Sequence, residues 1–151
     1  MTAILIIAHA PLASALRDVA EHTFPDCGEG LMALDVPADM PPEEIAVRAG
    51  ALLAHLAGSE VLVFSDVFGA TPCNAAQRLA ASEPEGRLMV VTGVNVPMLW
   101  RSLCYAHEPV AALAARAAAG AAQGVMQLVT SRPQNQTSVT NHAQDADHHQ
   151  Q

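Results

Sequence analysis

The groups able to do chemistry in this 151-residue sequence collect in three short segments. They are His9-Ala10-Pro11, the run Asp66-Val67-Phe68-Gly69-Ala70-Thr71-Pro72-Cys73-Asn74, and Gly93-Val94-Asn95-Val96-Pro97. His9 closes the apolar run AILIIA. An imidazole titrates near neutral pH, so at the edge of a core it suits a nucleophile or base. Asp66 suits a hydrogen-bond partner for one ring nitrogen, which would fix the tautomer and leave the other nitrogen free to attack. Thr71, with the unpaired N–H groups of a helix starting at Pro72, suits an anion such as a phosphoryl group. Gly69 permits close approach of backbone. Each residue also has a plainer reading: a structural histidine, a turn aspartate, a Thr-Pro helix cap, and an Asn95 that only pins a loop.

What brings the three segments together is the order of elements around them. Residues 3–8 read as a buried strand without polar alternation. From Pro11, which fits the first helical position, Leu12, Leu16, Val19 and Ala20 fall on one helical face as far as Thr23. Residues 31–36 read as a second strand. Pro41-Pro42-Glu43-Glu44 opens a second helix with acidic residues where the helix dipole favours them, and Ile45, Ala49, Leu52, Leu53 and Leu56 give it an apolar stripe closed by Gly58. Residues 60–65 form the third strand, and Thr71-Pro72 supplies an N-cap and first-turn proline for a helix to Ala81. Residues 88–92 form the fourth strand, followed by helical segments broken near Pro109 and reaching Ala122. Residues 125–130 read as a last short strand. Uninterrupted apolar strands alternating with helices predict an α/β protein with a parallel sheet covered on both faces. In such sheets, sites form at the carboxyl ends of the strands, where all three segments fall.

Composition narrows the function classes. All seven basic residues are arginine and the formal net charge is −8. That balance argues against nucleic-acid binding, which begins with neutralising phosphates. Cys27, Cys73 and Cys104 are widely spaced and show no CxxC, so they read as buried thiols in a reducing cytoplasm, with no disulfide framework and no zinc site. No apolar run approaches the roughly 20 residues of a membrane span. The N-terminal stretch lacks the basic segment of a signal peptide and is read as structure. From Ser131 the chain has almost no large apolar residue, so residues 131–151 are expected to be a flexible polar tail. His142, His148 and His149 within it offer at most weak metal binding.

Three stretches, IAHAPL, DVFGATPCNAA and GVNVPML, resemble motifs of the IIA domain of the mannose-family phosphotransferase system. The likeness spans about residues 1–130, which become the expected domain. It implies a flavodoxin-like three-layer αβα fold with a mainly parallel sheet, often dimeric, with the last strand, here residues 125–130, exchanged between subunits. It implies a cytoplasmic phosphocarrier whose His9 accepts a phosphoryl group from the carrier protein HPr, with Asp66 orienting His9. Ala10, Gly69, Ala70, Thr71 and Asn74 would lie around the phosphoryl group, with no cofactor and no metal. Some members carry a IIB domain after a linker. None is expected here, so the receiver is expected to be a separate IIB protein or a regulatory target, with membranes involved only through a transporter complex. Ala8, Ala10 and Ala70 replace glycines of the family pattern. Three alternatives stand beside this reading. One is the phosphotransfer subunit of a dihydroxyacetone kinase, and another is a binding module for a small anion. The third is a tetrapyrrole metal chelatase, for which His107 and Glu108 are the candidate second ligands.

Overall fold

Four apolar runs set the centre of the molecule: β1 (Ala3–His9), β2 (Leu31–Val36), β3 (Val61–Ser65) and β4 (Leu88–Thr92). In the computed structural model, which describes residues 1–129 (of residues 27–29 the backbone alone), they pair in the order β2-β1-β3-β4, all parallel. The chain therefore goes first to one side of β1 and then to the other. This creates a topological switch point at the carboxyl ends of β1 and β3.

Helices cover both faces. They are α1 (Leu12–Thr23), α2 (Pro42–His55), α3 (Thr71–Ala81), α4 (Val96–Cys104) and α5 (Val110–Gln123), with a 3-10 segment, Pro25–Gly30, leading into β2. Alternation along the strands sorts the core into two layers. Ile4, Ile6, Ala8, Leu62 and Phe64 pack with buried residues of α1, α4 and α5. Leu5, Ile7, Val61 and Val63 pack with those of α2 and α3. This is the expected three-layer α/β/α fold. Ile6 and Phe64 are fully buried, and truncating an aliphatic side chain at such a site costs about 2–5 kcal/mol.

Several expectations are corrected. Helix α1 starts at Leu12, with Pro11 as its N-cap residue, and buries Ala13, Leu16 and Ala20. Leu12 and Val19 are more than a third exposed, because the face that turns inward is centred on Ala13, Leu16 and Ala20. Leu52 is half-buried beside the α2 stripe Ile45, Ala49 and Leu53. Glu60 lies outside β3: its carboxylate accepts from Val110 N–H (2.8 Å), at the start of α5. Cys73 is buried but Cys104 is exposed. Among the described residues the fifth strand is not formed. Val125, Met126, Leu128 and Val129 are 76%, 73%, 85% and 82% exposed, and none of the described strands pairs with them. Thr130 and the tail, with His142, His148 and His149, lie outside the described residues. Among the described residues no helix is long and apolar enough to cross a membrane.

Candidate functional site

β1 ends at His9 and β3 one residue before Asp66. The pairing of Ile6 with Phe64, continued two residues on, sets Asp66 beside Ala8, the residue before His9, at one sheet edge. Asp66 Oδ2 accepts the backbone N–H of His9 at 3.0 Å and lies 2.6 Å from His9 Nδ1. Asp66 Oδ1 accepts from Val67 N–H at 2.9 Å. The main chain beneath is held as well, since Gly93 N–H donates to Asp66 O (3.0 Å) and Val94 N–H to Ser65 O (3.1 Å). The third segment thus carries the second. Burial pushes the Asp66 carboxyl up, but the bonds from His9 N–H, the His9 ring and Val67 N–H outweigh it and hold the group below its ordinary value. An ionised Asp66 facing Nδ1 places the ring proton there and the free lone pair on Nε2. The imidazole is half exposed (49%) while the carboxylate is mostly covered (13%). That combination keeps the nucleophile accessible and its partner fixed.

The Asp66–Thr71 loop leads into α3. Thr71 is the first helical residue, with Ala70 before it as N-cap residue and Pro72 after it, so Thr71 is not the cap that the sequence suggested. No side chain caps α3, which leaves first-turn N–H groups available to an anion. Asn74 braces the loop: its N–H donates to Ala70 O (2.9 Å) and its side-chain amide to Gly69 O (3.2 Å). Gly69 has φ +82°, yet a Cβ there would meet nothing within 4 Å. Backbone conformation, rather than close approach, is what requires glycine here. Ala70, at φ −81° and ψ 166°, is ordinary extended backbone, so the alanine replacing a family glycine carries no strain. Ala10 sits at the rim, and its N–H is already given to Val36 O (3.1 Å). Val67 and Phe68 stand out of the loop, Phe68 at 75% exposure.

Asn95 serves the scaffold. Its Oδ1 accepts from Met98 N–H (2.9 Å), capping α4, and its amide donates to Ala121 O (3.3 Å) in the last turns of α5. At the far end of the chain Glu108 forms a two-point ion pair with Arg116 (2.9 and 2.5 Å), and His107 lies beside Tyr105. Of the chelatase reading's second ligand pair, Glu108 is therefore engaged by Arg116 while His107 lies beside Tyr105. Sequence reading did not single out Ser14 and Asp35. Asp35 accepts from both the N–H and the hydroxyl of Ser14, beside the His9 loop. The signal was a lone carboxylate near the end of the apolar strand LMALDV.

The sequence matches, over residues 3–119, the EIIA-man family model, described as PTS system fructose IIA component. Solved structures share the fold. The mannose/sorbose specific IIA subunit of the phosphotransferase system from Enterococcus faecalis superposes with a TM-score of 0.78 at 21% identity, over 87% of this chain and 97% of that one. The phosphotransferase system component EIIA from Streptococcus agalactiae gives 0.73 at 23% identity, over 84% and 97%. The PTS IIA protein associated with the fucose utilization operon of Streptococcus pneumoniae gives 0.69 at 20%, over 83% and 92%. None of these favours the kinase-subunit, chelatase or anion-module readings.

Proposed function

The chain belongs to the EIIA-man family of phosphotransferase-system IIA components, and from that premise we propose that His9 is the residue on which it carries the phosphoryl group. The family makes it a phosphocarrier of the sugar phosphotransferase system, and implies dealings with HPr and IIB components. The observation that carries the assignment to His9 is the 2.6 Å contact between its Nδ1 and Asp66 Oδ2.

The step follows from that contact. Nε2 attacks phosphorus on the donor's phosphohistidine: an N–P bond forms at Nε2 as the donor's N–P bond breaks, and the donor nitrogen leaves with the bonding pair. The Nδ1 proton stays between ring and carboxylate throughout. Such a transfer asks for positioning and charge stabilisation more than for covalent chemistry. The phosphoryl oxygens are received by the Thr71 hydroxyl and the uncapped first turn of α3. Gly69 and Ala70 shape the loop, Asn74 holds it, and Ala10 borders it. The donor is phospho-HPr, which docks over the exposed Val67–Phe68 tip. The receiver is a separate IIB protein or a regulatory target, on the cytoplasmic side of the membrane. We assign residues 1–130 to the IIA domain and 131–151 to a polar tail. We assign the active form as a homodimer, supported by the outer edge of β4 and the exposed apolar residues Val125, Met126, Leu128 and Val129, which have no strand partner among the described residues. The test is incubation with phosphoenolpyruvate, Enzyme I and HPr. Wild type should gain one acid-labile phosphoryl group and His9→Ala none; phosphorylation of both would move the acceptor elsewhere.

A further inference from the structure

One carboxylate, Asp66 just past β3, holds the His9 ring, and a second, Asp35 of β2, stands opposite Ala8, the residue before His9. Asp35 is the last residue but one of β2. Its Oδ1 accepts the Ser14 N–H at 3.1 Å and its Oδ2 the Ser14 hydroxyl at 2.5 Å. The Ser14 hydroxyl also lies 3.1 Å from Pro11 O. It has one proton, and the shorter charge-assisted contact takes it. One residue past Asp35, Val36 O accepts the N–H of Ala10 at 3.1 Å. The turn from His9 into α1 is thus tied to the end of β2 by three hydrogen bonds, while His9 itself is tied to Asp66 beyond β3.

The same pair also settles which helix can receive an anion. Ser14 is the third residue of α1, and Pro11, the N-cap residue, offers no side-chain cap. Asp35 fills that role from another strand, putting a fixed negative charge on the helix start nearest His9 in sequence. α3 carries no such group. Of the helix N-termini that follow β1 and β3, one is closed by a carboxylate and the other carries no side-chain cap.

We propose that Ser14 and Asp35 are a positioning pair for phosphoryl transfer. They hold the turn that follows His9 so that the ring keeps its pose against Asp66, and they close α1 to the phosphoryl oxygens so that α3 takes them. The proposal rests on His9 being the acceptor. The pair touches neither donor nor phosphoryl group, so it acts on the maximal rate and not on donor binding.

The test is rapid-quench transfer from phospho-HPr to the full-length chain at a range of donor concentrations, with the melting temperature of each variant measured alongside. Ser14→Ala should lower the maximal single-turnover rate about tenfold, since small misplacements of a reacting group cost that much or more. Its half-saturating donor concentration should stay within about twofold of wild type, and Ser14→Thr, which keeps the hydroxyl, should recover most of the rate. Asp35→Asn keeps the shape and removes the charge, and should also transfer slowly. Wild-type rates in Ser14→Ala and Asp35→Asn, whatever their melting temperatures, would overturn the proposal while leaving His9 as acceptor. A Ser14→Thr no faster than Ser14→Ala would overturn it too. Failure of wild type itself to take a phosphoryl group would remove the acceptor reading, and the pair's role with it.

Discussion

One oxygen of Asp66 meets His9 twice, at 3.0 Å from its backbone N–H and 2.6 Å from ring Nδ1. Backbone and ring of the same residue are therefore fixed by a single carboxylate, whose own main chain is held by Gly93. Both contacts that orient the ring come from within the chain. That orientation is present before any donor arrives, which is the preorganisation that a transfer between two imidazoles needs.

Replacing Asp66 by Asn keeps an acceptor oxygen but removes the charge that fixes the tautomer. Transfer from phospho-HPr should slow by roughly ten- to a hundredfold without loss of the acceptor. Quench-flow on Asp66→Asn checks this, and an unchanged rate would contradict the role given to Asp66.

The lowered Asp66 carboxyl also makes a statement about stability. A carboxyl whose folded pKa lies below its unfolded value stabilises the fold above the unfolded value, here about 3.8, and that contribution disappears as pH falls through the lower folded value. Wild type should therefore lose stability on acidification below about pH 4 more steeply than Asp66→Asn. Denaturant melts between pH 6 and pH 3 measure the difference, and parallel acid limbs would contradict it.

Gly69 and Ala70 separate conformation from space. Gly69→Ala meets open space but places a Cβ at φ +82°, which costs about 1–2 kcal/mol. Ala70→Gly restores the family's glycine at an unstrained position and should lower stability by about 0.4–1 kcal/mol through the unfolded chain, with no gain in transfer rate. Chemical denaturation of both variants ranks them, and a larger loss in Ala70→Gly would reverse the argument.

Asn95→Ala removes the α4 cap and the link to α5 together, at about 1–2 kcal/mol for the cap. The maximal transfer rate should stay near wild type, because no contact of Asn95 reaches His9 or Asp66. Thermal melts and single-turnover rates on the same sample separate the two effects.

Much of this was legible in the residues, for reasons that differ by element. β2 and β4 fall at residues 31–36 and 88–92, as continuous apolar runs bounded by turn residues predict. Of the α1 face, Leu16 and Ala20 are buried as expected, and Leu12 and Val19 are not. Leu12 and Val19 dominate its periodicity, whereas packing against the sheet selects Ala13, Leu16 and Ala20. Thr71 resembles an N-cap, but the loop enters α3 one residue earlier and leaves it inside the helix. The segment from Val125 has the composition of a strand, yet among the described residues it pairs with no strand. His9 and Asp66 were visible because both follow apolar runs. The Ser14–Asp35 pair was not, since it joins residues 21 apart through a strand register that no local pattern displays.

The account stands most directly on which nitrogen carries the phosphoryl group. A 15N–31P correlation experiment on phosphorylated, 15N-histidine-labelled wild type reads this without any variant. Coupling of phosphorus to Nε2 of His9, with Nδ1 still protonated, is the predicted result. A phosphoryl group on Nδ1, the nitrogen held by Asp66, or on any other residue would contradict the account at its centre.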